Sequence, residues 1–449
     1  MPISEITMKS DLLKEWGRHL YNLVIDKREH VFNFTSFLVS RGISLALFAV
    51  TLPYFLNRVG EQAYGVVAML FLLYAYPHVL DLGMGYSLNF RLGRAVARGI
   101  RRVHSVVRCS VPYYLGLALL IGCGMFLGGA YASTVLLGTG RYGELFQWMG
   151  VGMAFSVLSV PCTAIMQAHN RVYWVNFSRL FLDVIRSGAL VVTVMTGGKL
   201  EYLVLIIVAG SAGKLVLDLF LAAKLLGGYH WIPPRFVRKE LAFNVSFGLP
   251  ATLSLVLSML MVSADKIYIG RYFSLDILAC YSVAADLHAK AFFLVWAVNE
   301  SLYMVLLRRR TRGIETESVT WLSLGAVFLV FALYYVPLAV FSKDLIRFWI
   351  SEKFAASTFS LVQWLLPSSL FYLVATVYEK LLQSRGKVRQ IALGYFLAFA
   401  TLVMALVMLP VDWGIYSVPL AYGLMNLVLM GTFIGMTMKY GYGVSPVRS

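Results

Sequence analysis

Residues 37–56 have the sequence FLVSRGISLALFAVTLPYFL, which is apolar almost throughout but includes one arginine, Arg41. A bilayer core about 30 Å thick needs roughly 20 apolar residues per α-helix, so this run is long enough to cross it. Similar runs recur along all 449 residues, of which 59% are hydrophobic and 14% charged. The mean hydropathy of +0.74 leaves too little polar surface for a soluble domain of this size. The sequence therefore predicts an all-α integral membrane protein.

Twelve transmembrane helices are predicted from the apolar windows. These lie near 32–57, 64–90, 109–131, 146–168, 172–196, 202–226, 244–270, 277–306, 319–341, 358–383, 391–411 and 416–438. They form a first six-helix bundle at 31–226 and a second at 244–438, joined by a cytoplasmic linker at 227–243. Residues 1–30 have the pattern of an amphipathic helix on the cytoplasmic membrane surface, and residues 439–449 form a cytoplasmic tail.

Arginine and lysine residues are concentrated in alternate loops. The segment RLGRAVARGIRRVHSVVR at 91–108, the linker, RRRTR at 308–312 and the loop at 385–389 all fall on one side. Cytoplasmic loops of membrane proteins carry an excess of these residues, so this side is predicted to be cytoplasmic, with both termini. The net charge of +17 is then a consequence of topology and does not indicate nucleic acid as a partner.

The sequence shows no sign of an enzyme. No loop is long enough for a folded catalytic or nucleotide-binding domain, and the GxxxxGK[ST], HExxH and GxSxG motifs are absent. The four cysteines stand singly, without metal-ligand spacing. We therefore predict a secondary-type transporter without metal or cofactor, and leave coupling to a proton or sodium gradient open.

The two halves of the chain resemble each other at an almost constant offset. YGVVAML at 64–70 matches YSVAADL at 281–287, a shift of 217. QW at 147–148 matches QW at 363–364, and QAHNRV at 167–172 matches QSRGKV at 383–388, both at a shift of 216. Six spans is an even number, so both halves enter the membrane in the same direction. The repeat predicts two pseudo-symmetric six-helix bundles around a central cavity, an arrangement typical of alternating-access transporters.

Two segments resemble a known family. Residues 52–99, LPYFLNRVGEQAYGVVAMLFLLYAYPHVLDLGMGYSLNFRLGRAVARG, are similar to the start of the polysaccharide transporter (oligosaccharide flippase) family. The shared features are a glycine turn after the first helix, then Tyr-Gly, Asp-x-Gly and a basic loop. Residues 249–284, LPATLSLVLSMLMVSADKIYIGRYFSLDILACYSVA, are similar to the start of that family's second half.

This resemblance implies a member of the multidrug/oligosaccharidyl-lipid/polysaccharide flippase superfamily. The implied function is the flipping of undecaprenyl-pyrophosphate-linked oligosaccharides across the bacterial inner membrane for O-antigen, lipopolysaccharide, capsule or exopolysaccharide synthesis. The implied partners are that lipid-linked glycan, membrane lipids and other polysaccharide-assembly proteins. One alternative is a multidrug extruder of organic cations from the same superfamily. Another is a membrane glycan polymerase or ligase, which the short outer loops disfavour.

Ionisable residues at span depth are candidate functional residues, because each costs about 2.5–3.5 kcal/mol at a helix centre. Arg41 has no acid within four residues, and its planar guanidinium suits a pyrophosphate. Its alternative role is an ion pair with Asp81. Three further cations are candidates for the same substrate: Arg186, Lys214 and Lys290. Each also has an acid three or four residues away, so local pairs are expected at Asp183–Arg186, Lys214–Asp218 and Asp286–Lys290.

Four residues are candidates for ion coupling or gating: Asp81, His78, Asp183 and Asp286. His78 precedes Asp81 by about one turn, and histidine titrates near neutral pH. The alternative for Asp81 is structural, as a partner of Arg41 or a loop cap. Asp265 and Lys266 are expected nearer a span end, with side chains extending to the membrane interface.

Overall fold

The computed structural model describes residues 32–33, 35–76, 81, 84–96, 98–227, 256–311, 317–409 and 411–440. We call residues up to 227 the first half and residues from 256 the second half. Within these ranges the chain is helical and has no strand. The predicted N-terminal segment, the linker beyond residue 227 and the tail beyond residue 440 lie outside the described residues.

The first half contains seven described helices. They are α1 Thr35–Val59, α2 Glu61–Ala75, α3 Met84–Val96, α4 Ile100–Leu137, α5 Gly143–Ala168, α6 Val172–Met195 and α7 Leu200–Leu225. Glycine makes two of the sharp connections possible: Gly60 between α1 and α2 has φ 102°, and Gly99 before α4 has φ 98°. Residues with a side chain rarely adopt such left-handed conformations.

The second half repeats this arrangement with six described helices. They are α8 at 256–272, α9 Leu275–Thr311, α10 Glu317–Trp349, α11 Glu352–Ser384, α12 Val388–Met408 and α13 Ser417–Tyr440. In the first half α5 packs on α4 and α7, and α6 packs on α7. In the second half α11 packs on α10 and α13, and α12 packs on α13. The same helix pairs therefore form each half, as the internal repeat predicts.

Eight of the described helices are long and apolar enough to cross a membrane: α1, α4, α5, α7, α10, α11, α12 and α13. This confirms the predicted all-α membrane fold. The number of twelve spans stays a prediction, because α2 is shorter, α6 and α9 are not among these eight helices, and α8 is described only from residue 256.

The window predicted as one span at 64–90 is two helices in the structure. Helix α2 ends at Ala75, α3 begins at Met84, and Asp81 lies in a turn between them. The Gly85 N–H donates to the Asp81 carboxylate at 3.0 Å, so Asp81 binds a backbone group in the first turn of α3. The apolar window missed this break because the residues on both sides of it are hydrophobic.

The two halves pack closely where α1 and α2 are joined, which we call the Gly60 end. A Cβ added to Gly65 of α2 would lie 2.2 Å from the Leu275 carbonyl oxygen of α9. A Cβ added to Gly270 of α8 would lie 2.8 Å from the Leu136 carbonyl oxygen of α4. Only glycine permits such close approach of helix backbones, so the sequence is adapted to closure at this end.

Candidate functional site

Arg41 lies on the side of α1 that faces the second half. Its side chain is exposed, and the guanidinium carbon is 5.7 Å from the centre of the Phe37 ring, one turn earlier. Phe48 follows Arg41 by seven residues and therefore shares its face of the helix. The Lys290 ammonium from α9 is 4.3 Å from the Phe48 ring centre. The α1 face with Arg41 is thus turned toward the space between the halves.

Helix α6 contributes three more charged residues beside this face of α1. Arg179, Asp183 and Arg186 are spaced i, i+4 and i+7, so they share one face of α6. Asp183 accepts a hydrogen bond from Ser44 of α1 at 2.7 Å, which fixes this face against α1. Arg179 is exposed and lies within electrostatic range of both Arg41 and Asp183.

Arg186 occupies the other end of this α6 face. It pairs with Asp183 at 3.8 Å, which confirms the predicted local pair. Its guanidinium carbon lies 4.4 Å from the centre of the Tyr74 ring of α2, a distance at which cation–π attraction is effective. The Arg186 Nε atom is buried and has no hydrogen-bond partner.

We call Arg41, Arg179, Asp183 and Arg186 the cationic wall. Three guanidinium groups and one carboxylate give it a net charge of 3 − 1 = +2. Within the described residues, no carboxylate lies within salt-bridge distance of Arg41, and the predicted alternative pair with Asp81 is not seen. Arg179 was missed in the sequence, although its spacing of four residues from Asp183 places it on the same face.

The predicted pair Asp286–Lys290 is wrong. Asp286 of α9 pairs instead with Lys266 of α8, at 3.2 Å. Helical spacing permits the local pair but does not determine which neighbouring helix offers a closer cation. The Asp286 carboxylate is thus bound by Lys266. Lys290 extends instead toward Phe48 of the first half.

Lys214 is buried among helices of the first half. It pairs with Asp218 of the same helix at 2.5 Å, which confirms the predicted local pair, and it donates to Ser159 of α5 at 2.9 Å. Asp218 has no exposed surface and also accepts from Ser178 of α6. The group ties α5, α6 and α7 together inside the first half. The structure therefore does not bring Lys214 together with Arg41, Arg186 or Lys290.

The candidate coupling residues are dispersed. Asp183 belongs to the cationic wall, and Asp286 is engaged with Lys266. Asp81 is buried in the turn before α3, where its carboxylate binds the backbone of Gly85, as in the predicted role of loop cap. His78 lies outside the described residues.

The second half contains a partly open cavity of about 160 Å³, which we call the second-half cavity. Its polar lining includes Asp265, Lys266 and Asp286, and its aromatic lining includes Tyr281, Tyr372, Tyr395, Tyr422 and Phe292. Asp265 is 3% exposed and accepts from the Tyr281 hydroxyl at 2.7 Å. The expectation that Asp265 and Lys266 extend to the membrane interface is therefore wrong, since both line this interior cavity.

The sequence matches no family model and no curated protein. The fold is similar to an inward-facing conformation of a multidrug resistance MATE family transporter of the MOP superfamily. The TM-score is 0.73 at 13% identity, over 88% of this chain and 94% of that chain. It is also similar to the lipid II flippase MurJ in an inward closed conformation. That TM-score is 0.72 at 12% identity, over 90% of this chain and 87% of that chain.

An outward-facing conformation of a MATE family transporter of the MOP superfamily gives a TM-score of 0.63 at 12% identity, over 91% of this chain and 95% of that chain. At these identities the similarity shows the fold. The chain has the fold of multi-pass membrane transporters that include drug transporters and a lipid flippase. The polysaccharide transporter family stays a prediction from the sequence.

Proposed function

We propose that the protein is a flippase for an anionic, lipid-linked oligosaccharide, with a pyrophosphate as the group that the cationic wall binds. The observation that carries this proposal is the net charge of +2 on the cationic wall, which adjoins the α1 face that Lys290 of the second half approaches. Arginine guanidiniums form bidentate hydrogen bonds with phosphate oxygens, and a buried Arg186 Nε without a partner is a donor for such an oxygen.

The physical need for a flippase lies in the sugar head group. Moving each hydroxyl into hydrocarbon without a hydrogen-bond partner costs on the order of several kcal/mol, so the head group does not cross unaided. A polar space between two helical halves removes that cost, while the polyprenyl tail stays in the surrounding lipid. The proposed cargo, an undecaprenyl-pyrophosphate-linked glycan, rests on the sequence resemblance and on this charge.

Two observations support transport from the cytoplasmic to the outer leaflet. The positive-inside pattern assigns the Gly60 end to the outer side, and the halves are packed together there. The TM-score to an inward-facing MATE transporter, 0.73, also exceeds the 0.63 to an outward-facing one. In this state the cationic wall would receive its substrate from the cytoplasmic side of a bacterial inner membrane.

Extrusion of organic cations is the second candidate, and the second-half cavity favours it. Two carboxylates and one ammonium give its lining a net charge of 1 − 2 = −1, and aromatic rings surround them. Aromatic faces with a carboxylate suit a cationic drug. We prefer the lipid-linked anion because the cationic wall has the charge that a pyrophosphate needs, and because the sequence resemblance implies the same class of cargo.

The test is a flipping assay in proteoliposomes with a fluorescent short-chain isoprenyl pyrophosphate disaccharide. Dithionite quenches only the outer-leaflet probe, so the flipping rate follows from the loss of protected fluorescence. Arg41→Ala should lower the rate at least ten-fold, and Arg41→Lys should retain part of it. Arg141→Ala is the matched control, because Arg141 is exposed, stacks on Tyr142 at 6.0 Å and lies outside the wall.

Two outcomes would overturn the proposal. One is flipping by Arg41→Ala at the rate of the Arg141→Ala control, at equal reconstituted amounts. The other is wild-type protein that moves ethidium, an organic cation, but not the pyrophosphate probe. Repeating the assay with imposed proton or sodium gradients tests whether either ion drives turnover.

A further inference from the structure

A proline in α1 leaves one backbone carbonyl without its helical donor. In an α-helix the carbonyl of residue i accepts from the N–H of residue i+4. Residue i+4 of Ala49 is Pro53, which has no N–H. The Ala49 carbonyl lies in the middle of a membrane helix, where an unpaired polar group is costly.

The second half supplies the missing donor. The indole N–H of Trp349, the last residue of α10, donates to the Ala49 carbonyl at 2.6 Å. The Trp349 ring is also 5.9 Å from the Phe48 ring, centre to centre. A side chain of one half thus completes the backbone hydrogen bonding of a helix in the other half.

A second hydrogen bond joins the two halves in the opposite direction, from α1 to Ile350, the residue after Trp349. Ile350 is the C-cap residue that follows α10, and the last carbonyls of a helix have no intrahelical donor. The side-chain amide of Asn57 donates to the Ile350 carbonyl at 2.9 Å. Asn57 lies two turns after Ala49 on α1, so both bonds join the same faces of α1 and α10 at the Gly60 end.

We propose that these two bonds form a clasp that holds the Gly60 end closed, and that Pro53 is the residue that makes the clasp necessary. Separation of the halves at this end breaks both bonds. It leaves the Ala49 carbonyl without a protein donor until water reaches it, whereas the closed state satisfies it fully. The clasp therefore sets the balance between the closed and open states at this end, whatever the substrate.

The effect of the indole bond on this balance follows from ordinary hydrogen-bond energetics. A neutral intramolecular hydrogen bond changes an equilibrium by about five-fold on average. Trp349→Phe keeps an aromatic ring against Phe48 and removes only the N–H. It should raise the ratio of open to closed protein about five-fold. Trp364→Phe is the matched control, because Trp364 is exposed on α11 and contacts Tyr416, away from α1.

The measurement is a pulsed electron paramagnetic resonance distance between spin labels in reconstituted protein. The labels are placed at Arg141→Cys and Ser357→Cys, two exposed positions on opposite halves near the Gly60 end, after replacement of the four native cysteines. The populations of the short and long distances give the ratio of closed to open protein directly.

Pro53→Ala makes the test specific to the proposed cause. This substitution restores a backbone N–H at position 53 for the Ala49 carbonyl, so the indole bond becomes redundant. In the Pro53→Ala background, Trp349→Phe should change the distance populations no more than Trp364→Phe does. The proposal fails if Trp349→Phe leaves the wild-type populations unchanged. The proposal also fails if Trp349→Phe changes the distance populations equally in the wild-type and Pro53→Ala backgrounds. The indole ring, and not its N–H, would then be responsible.

Discussion

Asp218→Asn is expected to destabilise the first half by about 3–5 kcal/mol, the usual cost of leaving one partner of a buried ion pair uncompensated. Asp218 has no exposed surface and binds the Lys214 ammonium at 2.5 Å and the Ser178 hydroxyl at 2.5 Å. An asparagine of similar size keeps one acceptor oxygen for the serine hydroxyls but leaves the buried ammonium of Lys214 without a counter-charge.

The double variant Lys214→Met/Asp218→Asn should recover most of this loss, to within about 1–2 kcal/mol of wild type, because it removes both buried charges. Unfolding in mixed micelles by increasing the fraction of dodecyl sulfate, followed by tryptophan fluorescence, measures the free energy. Glu352→Gln is the control: its pair with Arg347 is 61–62% exposed, so its loss should cost less than about 1 kcal/mol.

Equal unfolding of Asp218→Asn and wild type would refute the structural role of this pair, as would a double variant no more stable than the single one. The double variant should also flip the pyrophosphate probe at the wild-type rate. If the double variant is as stable as wild type but does not flip the probe, Lys214 is part of the substrate site, as the sequence alone suggested.

Three other substitutions test separate parts of the structure. Arg179→Ala should lower the flipping rate about ten-fold in the proteoliposome assay, whereas the control Arg141→Ala should not change it. Equal rates for the two variants would exclude Arg179 from substrate binding. Asp265→Asn should leave binding of the pyrophosphate probe, measured by fluorescence anisotropy, within about two-fold of wild type, because Asp265 lies inside the second half. Gly65→Ala should shift the spin-label distances toward the open state, because the new Cβ would lie 2.2 Å from the Leu275 carbonyl oxygen; an unchanged distribution would contradict this packing.

The fold was predictable from the sequence because its signals are local. Apolar length identifies membrane helices, and the offset of 216–217 residues indicates the repeated halves. The pairs Asp183–Arg186 and Lys214–Asp218 were predictable for the same reason, since a spacing of three or four residues places two side chains on one helical face.

Contacts between helices were not predictable in this way. Asp286 had an acceptable partner on its own helix, yet Lys266 of the neighbouring helix binds it. The burial of Asp265 depends on where α8 lies within the second half, which hydropathy does not report. The bond from Trp349 to Ala49 joins residues 300 positions apart. Such partners depend on how the helices pack, and periodicity along one helix carries no information about that.

The unequal charges of the two halves bear on the energetics of turnover. The cationic wall of the first half has a net charge of +2, whereas the lining of the second-half cavity has a net charge of −1. A diphosphate with two negative charges, held by the first half, that crossed together with one monovalent cation held by the second would move a net charge of −1, half that of the diphosphate alone. A diphosphate crossing alone would instead gain about 2.3 kcal/mol per elementary charge for each 100 mV. Current recorded during turnover would therefore distinguish the two modes.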